Sequence, residues 1–114
     1  MAINFKNIAR RETVISDIME SRNKVDKSDG IFHIEDFDIV SNTNGEAYAV
    51  CAINDREFIN GGFVLTRIFT AIVDEYNGDI ETAREDFRRE GGLKVRLTRK
   101  KTRGNRDITT VEVL

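Results

Sequence analysis

Hydrophobic residues recur at helical spacing in three segments of the chain. In residues 6–21 they share one face while charged residues lie largely elsewhere, which predicts an amphipathic N-terminal helix. In residues 64–76 they repeat every three or four positions, which predicts a long helix packed on the core. Residues 79–90 predict a shorter helix, with Asp79 as its N-cap and two glycines after its end. Each of these helices needs a partner surface for its apolar face.

Segments rich in β-branched, aromatic and alternating apolar residues predict five strands. Three of them, at residues 31–40, 46–53 and 57–60, precede the long helix. Turn-forming residues between the first two favour an antiparallel hairpin. The other two strands, at residues 93–98 and 108–114, follow the last helix and flank a turn that contains glycine and asparagine. The predicted order is helix, three strands, two helices and two strands.

The first strand changes the phase of its alternation in the middle. Phe32 and Ile34 occupy even positions, whereas Phe37 and Ile39 occupy odd ones. A regular strand would send these two pairs to opposite faces. A bulge near residues 35–36 would bring both pairs to one face, so we expect the strand to bend there.

The length of the chain fits one domain, which we expect to span residues 1–114. Within it, residues 1–29 would form the N-terminal helix and a polar linker, and residues 30–114 a β-rich body. The densest apolar stretch, residues 63–73, is interrupted by polar side chains and is too short to span a membrane. No apolar run of signal-peptide length begins the chain, so we expect a cytoplasmic protein with no membrane partner.

Cysteine and histidine occur once each, as Cys51 and His33. One cysteine excludes an intramolecular disulfide, and structural zinc sites draw on several Cys and His ligands. Carboxylate pairs such as Glu35–Asp36 point to opposite faces of a strand, and those on the helices face solvent, so neither kind converges on a reacting atom. We therefore expect a binding protein and not an enzyme, with no catalytic residues, no metal site and no cofactor.

Charge is distributed unevenly, although the net charge is only −2. Residues 29–86 contain thirteen acidic and three basic side chains, whereas residues 93–106 contain seven basic and no acidic ones. A concentrated positive strip is typical of a site for a polyanion. The alternative is that this strip only keeps the protein soluble.

The order of elements is that of the five-stranded oligonucleotide/oligosaccharide-binding (OB) barrel, with a helical connection between the third and fourth strands. We therefore predict a mainly β protein with helices (α+β), built as an OB-like barrel with an additional N-terminal helix. Such barrels bind ligands on the face of strands two and three, between the loops that join strands one to two and four to five. These loops would be residues 41–45 and 101–106, and the second is strongly basic.

Two segments carry a family resemblance. They are Asn-Gly-Glu-Ala-Tyr-Ala-Val at residues 44–50 and the stretch from Gly92 to Leu114, Gly-Leu-Lys-Val-Arg-Leu-Thr-Arg-Lys-Lys-Thr-Arg-Gly-Asn-Arg-Asp-Ile-Thr-Thr-Val-Glu-Val-Leu. From Ile31 onward the chain resembles the small OB-fold single-stranded DNA-binding proteins of bacteriophages and mobile elements. The resemblance implies sequence-tolerant binding of single-stranded DNA in phage-type replication or recombination. The chain departs from that pattern in having no tryptophan, and in having Asp107-Ile108 where an aromatic residue is usual.

Binding a single strand without sequence preference needs cations for the phosphates and flat side chains for the bases. The stacking candidates on the second and third strands are Tyr48 and Phe58. The other phenylalanines, Phe32, Phe37, Phe63, Phe69 and Phe87, are expected to fill the core. The phosphate candidates are Lys94, Arg96, Lys100, Lys101, Arg103 and Arg106.

Two functional hypotheses remain open from the sequence. The first is binding of single-stranded nucleic acid, with DNA favoured over RNA and a homo-oligomer compatible with the chain. The second is a protein–protein interaction module, such as a phage-encoded inhibitor or assembly factor, that uses the acidic surface of residues 29–86 or the N-terminal helix. The two differ in whether the basic side chains gather in one place or scatter over the surface.

Overall fold

The computed structural model describes residues 16–26 and 29–114. They form a mixed α+β fold with three helices and two sheets. The helices are α1 (Asp17–Ser21), α2 (Gly62–Glu75) and α3 (Ile80–Arg89). The strands are β1 (Asn23–Lys24), β2 (Gly30–Ile34), β3 (Asp36–Ser41), β4 (Ala47–Ala52), β5 (Glu57–Asn60), β6 (Leu93–Lys101) and β7 (Asp107–Val113).

The strands form a four-stranded sheet in the order β1-β5-β4-β3 and a three-stranded sheet in the order β2-β6-β7. All pairs are antiparallel except β1 with β5. β2 and β3 follow each other directly, so one bent segment supplies an edge to each sheet. The described strands β5 and β7 do not pair, and the described residues therefore form no closed barrel.

The bend predicted near residues 35–36 is confirmed. Ile34 ends β2 and Phe37 lies near the start of β3, and both side chains are fully buried in the same core. Glu35 between them donates its backbone N–H to the carbonyl of Ala52 (2.9 Å), so the chain continues into the second sheet without losing its pairing. Gly92 packs against the bend, where a Cβ atom would collide with the carbonyl of Ile34.

Three aromatic rings form the centre of the main core. Phe37 stacks on Phe69 with 4.4 Å between ring centres, and Phe87 meets both rings edge-on at 5.2 and 5.5 Å. These rings come from β3, α2 and α3, so the core joins the bent segment to both long helices. Offset-stacked and edge-to-face arrangements are the favourable ones for aromatic pairs.

The sequence predictions for the helices at 64–76 and 79–90 are confirmed by α2 and α3. As predicted, Asp79 caps α3, accepting a hydrogen bond from the backbone N–H of Thr82 (3.2 Å). A hydrogen bond from the Thr82 hydroxyl, together with this one from the Thr82 backbone, holds the pKa of Asp79 below its usual range. None of the helices among the described residues is long and apolar enough to cross a bilayer.

The described residues cover only part of the N-terminal prediction, and one correction is needed there. The predicted helix at residues 6–21 is described only as α1, since residues 6–15 lie outside the described part. Within the predicted linker, β1 pairs in parallel with β5, and the backbone N–H of Val25 donates to the carbonyl of Phe58 (2.9 Å). Residues 16–26 are therefore attached to the four-stranded sheet.

Replacing a central core ring should destabilise the fold far more than replacing an exposed ring. We expect Phe37→Ala to lower the free energy of unfolding by about 3–5 kcal/mol, because the ring is fully buried. Phe63→Ala should change it by less than about 0.5 kcal/mol, because Phe63 is 77% exposed. Urea denaturation of both variants measures the two values, and equal losses would contradict this division between core and surface.

Candidate nucleic-acid interface

The hairpin of β6 and β7 carries the most basic segment of the chain. Val95 and Leu97 are buried, whereas Lys94 and Arg96 are exposed, as the alternation predicts. β6 continues to Lys101, three residues beyond the predicted strand, and all residues from 99 to 109 are exposed. The end of the hairpin therefore extends beyond the core with both faces accessible.

A five-residue loop, residues 102–106, closes this hairpin. Thr102 and Arg106 pair at its base, where the N–H of Thr102 donates to the carbonyl of Arg106 (2.9 Å). Asn105 adopts a left-handed conformation with φ of 61°, which asparagine tolerates better than most residues. The loop thus places Arg103 and Arg106 at the tip of the hairpin.

Most of the hairpin cations have no acidic partner in the described part of the chain. Arg96 pairs with Glu112 at 3.0 Å and Arg99 with Asp107 at 3.4 Å, both across the two strands. The other five basic residues between 93 and 106 form no ion pair within the described ranges 16–26 and 29–114. These five are Lys94, Lys100, Lys101, Arg103 and Arg106. All are exposed, so they supply a local excess of positive charge.

The predicted phosphate candidates do not lie on one face. Lys94, Arg96 and Lys100 are on one side of β6 by strand alternation, and Lys101 is on the other. Arg103 and Arg106 are in the loop. The structure therefore brings the predicted cations together on one hairpin. They lie on both of its faces, and most are near its free end.

The two predicted stacking residues have different environments. Phe58 is only 4% exposed, so the expectation of an exposed ring there is wrong. Tyr48 is half-buried at the margin of the same small cluster, which includes Val50 and Ala52. Only Tyr48 of the two therefore keeps part of its ring accessible.

Phe58 is buried because α1 covers the outer face of β4 and β5. Ile18, which is fully buried, and the partly buried Met19 pack on Val50 and Phe58. Burial of one such aliphatic side chain is worth about 1.5–3 kcal/mol. Part of the face that an OB barrel would offer to a ligand is therefore occupied by the chain itself.

An ion cluster anchors α1 beside this face. Arg84 of α3 contacts Asp36 at 2.9 Å, Asp17 at 3.1 Å and Asp38 at 3.8 Å. Arg88 adds a second contact to Asp36 at 3.2 Å. The Ser16 hydroxyl, at the N-cap of α1, donates to the carboxylate of Asp38 (2.6 Å). Two carboxylates of β3 are thus neutralised by α3 and tied to the start of α1.

The cluster shifts the pKa of two of its members. The hydrogen bond from Arg84 lowers the pKa of Asp17 below its usual value of 3.8, although partial burial opposes this. Burial would lower the pKa of Arg84, but its hydrogen bonds to Asp36 and Asp17 outweigh burial and raise it. Both pKa shifts favour the charged forms of Asp17 and Arg84, whose ion pair holds α1 in place.

Phe63 is an exposed aromatic residue that the sequence prediction assigned wrongly to the core. It lies in the first turn of α2, and the Arg67 guanidinium is 5.7 Å from its ring centre. Its neighbours three, four and seven positions along the helix are Thr66, Arg67 and Thr70, all polar. This spacing signals that Phe63 is on the solvent side, since residues three or four apart share a helix face.

Phe63 lies between two open grooves. One, of about 670 Å³, runs between the start of α2 and residues 107–111 of β7. The other, of about 810 Å³, runs along α2 beside Glu46 and Ala47. The first groove has Val64 and Val111 in its lining together with the exposed Ile108. It therefore combines an apolar wall with the strand that follows the basic loop.

The single cysteine and histidine are not part of this surface. Cys51 is buried in the core, and burial raises the pKa of its thiol to about 12, so the thiol stays protonated near neutral pH. His33 is exposed on β2, and its Nε2 atom lies 2.5 Å from the carbonyl oxygen of Gly91. Nowhere in the described ranges do three His, Cys, Asp or Glu side chains group to hold a metal ion.

Comparison with known proteins gave no match to a family model, a curated protein or a solved structure. The functional argument therefore rests on the geometry and charges of this chain.

Removal of the central arginine from the ion cluster should destabilise the protein markedly. Arg84→Met leaves the largely buried Asp36 with Arg88 as its one remaining cationic partner among the described residues, and we expect a loss of about 3 kcal/mol in unfolding free energy. In the double variant with Asp36→Asn the loss should be smaller than the sum of the single losses. A double-mutant cycle by urea denaturation measures this coupling, and strict additivity would contradict the ion pair.

The contribution of Asp17 to the free energy of unfolding should decrease as the pH falls. Because its pKa is lowered in the folded protein, its stabilising effect is present above the usual value of 3.8 and is lost as the pH falls through the lowered pKa. Asp17→Asn should therefore be less stable than the unmodified protein at pH 6, by less than about 1 kcal/mol because the carboxylate is exposed. Urea denaturation between pH 2 and pH 6 should show the difference vanish at the acidic end. A difference that stays constant would contradict the shift.

Proposed function

We propose that the protein binds single-stranded nucleic acid, favouring DNA, with the β6–β7 hairpin as the phosphate-contacting element. The observation that carries this proposal is the group of five basic side chains on that hairpin that have no acidic partner among the described residues. Neutralising phosphates with such cations releases counterions from the nucleic acid, which drives binding without sequence preference. Tyr48 remains a stacking candidate, and Phe58 is no longer one.

The sheet topology supports an OB-like interpretation. If β2 and β3 count as one bent first strand, the two sheets join into one series of adjacent strands. Its order is β5, β4, the bent strand β3/β2, β6 and β7. An OB barrel has five strands, is partly open, and carries its helical connection between strands three and four. The helices α2 and α3 lie at that point of the chain, between β5 and β6. We therefore propose an OB-like barrel that is open between its third and fifth strands.

The arrangement of charges favours a nucleic acid over the rival protein partner. On β3, Asp36 and Asp38 are close to Arg84, so part of the acidic segment is locally neutralised. Among the described residues, nine basic side chains form no ion pair, and five of them lie on the hairpin. The other four, Arg22, Lys24, Arg56 and Arg67, lie elsewhere, so the hairpin carries the largest group. Replication or recombination in the cytoplasm is the setting that the resemblance to phage single-stranded DNA-binding proteins suggests for this activity.

Single-stranded oligonucleotides should bind more tightly than duplexes of the same length. Fluorescence anisotropy with labelled oligonucleotides across a salt series measures both affinity and its salt dependence. We expect a log–log slope of about −0.7 per phosphate contact, or about −4 if all six predicted cations make contact. Absence of binding at low salt, or a preference for duplex, would contradict the proposal.

The hairpin tip should account for part of that slope. Arg103→Ala and Arg106→Ala should each weaken binding and make the slope less steep by about 0.7. Arg56→Ala is the matched control, because Arg56 is an exposed arginine between β4 and β5, outside the hairpin. If all three variants weakened binding equally, the hairpin would have no special role.

A further inference from the structure

We propose that Phe63 is a base-stacking residue, and that the groove between the start of α2 and β7 holds an unpaired base of the bound strand. This inference rests on the proposed binding of single-stranded nucleic acid and names a contact within it. The groove lies along β7, directly after the basic loop of residues 102–106.

The first support is the exposed apolar surface in the groove. Phe63 is 77% and Ile108 is 44% exposed, and both line the same groove. A single exposed apolar side chain needs no explanation, but a group of them around a concave surface marks a binding site. Thr109 and Thr110 line the same groove and can donate hydrogen bonds to a base or a phosphate.

The second support is the geometry around the ring. Arg67 lies over one face of Phe63, which leaves the opposite face for a base. An aromatic ring binds any base because every base has a flat π-face, so the contact would not select a sequence. The Arg67 guanidinium adds a positive charge beside the same ring.

The third support is charge complementarity between the groove and a polyanion. In the register of the hairpin, Lys101 lies opposite Asp107 and Lys100 opposite Ile108, so two cations that form no ion pair among the described residues lie next to the strand that forms one wall. Asp107, which also lines the groove, is paired with Arg99. The loop adds Arg103 and Arg106 at the same end. A strand whose base enters the groove therefore has its neighbouring phosphates near cations that have no acidic partner in the described residues.

This charge favours a nucleic acid over a peptide in the groove. The outer edge of β7 is unpaired in the described sheet, so an extended peptide or a second copy of the chain could pair there instead. Such a partner would have to compensate the excess positive charge of the hairpin, whereas a phosphate backbone does so inherently. We therefore assign the groove to the single strand.

The test compares Phe63→Ala, Phe63→Leu and Phe63→Tyr in anisotropy titrations with labelled oligothymidylate. Loss of one stacked base should weaken binding about 5- to 150-fold in the alanine and leucine variants, with an unchanged salt slope. The tyrosine variant should bind like the unmodified protein because it keeps a flat ring. Ile31→Ala is the control, since Ile31 is an exposed apolar residue on β2, at the opposite edge of the same sheet.

A second measurement reports stacking directly. An oligonucleotide that contains 2-aminopurine loses fluorescence when that base stacks on a ring, and Phe63→Ala should diminish the quenching at saturation. Thermal unfolding of each variant separates this effect from a change in stability.

The outcomes separate the two proposals. If the unmodified protein does not bind single strands, the proposed function fails. If it binds, and Arg106→Ala weakens binding while Phe63→Ala does not, the function stands and this inference is overturned. Loss of self-association in Phe63→Ala, measured by sedimentation with single-strand affinity unchanged, would also overturn it and assign the groove to a second copy.

Discussion

Burial of Ile34 and Phe37 in one core is the constraint on which the rest of the structure depends. Residues three apart on a regular strand point to opposite faces, so both can be buried together only if the chain bends at Glu35. Each buried side chain is worth about 1.5–3 kcal/mol, which makes the bend favourable. The bend divides the segment between two sheets, and it requires Gly92 where the chain enters β6, because no side chain fits there.

The bend also explains the ion cluster and the position of α1. With Phe37 pointing into the core, the neighbouring Asp36 points to the other side of β3, where it is largely buried. A buried carboxylate needs a charged or hydrogen-bonding partner, which Arg84 supplies from α3. The same guanidinium binds Asp17, so the residue that neutralises β3 also holds α1 over β4 and β5. The packing of the core therefore explains why α1 covers the face of β4 and β5 on which a ligand was expected.

Much of the local structure could be predicted from the sequence, and the environments of particular aromatic residues could not. Alternation and helical spacing identified β2 to β7, α2, α3 and the bend, but not β1, because these patterns report directly on which side of an element is buried. Burial of Phe58 depends on α1, whose anchor joins Asp17 to Arg84, 67 residues apart. No local pattern reports such a contact. The exposure of Phe63, in contrast, could have been predicted from the sequence, because the residues three, four and seven positions after it are polar.

If the hairpin binds a polyanion as proposed, its stability and its binding compete for the same charges. A two-stranded ribbon beyond the core has little apolar surface to bury, so it depends on cross-strand contacts. Here these include Arg96–Glu112, Arg99–Asp107 and the hydrogen bond from the Thr110 hydroxyl to the carbonyl of Thr98 (3.3 Å). Acidic partners for the other five cations would relieve their mutual repulsion but would also cancel the field that attracts a polyanion. Phosphates can supply that relief only when they are bound, so order at the hairpin tip and occupancy by a single strand should increase together.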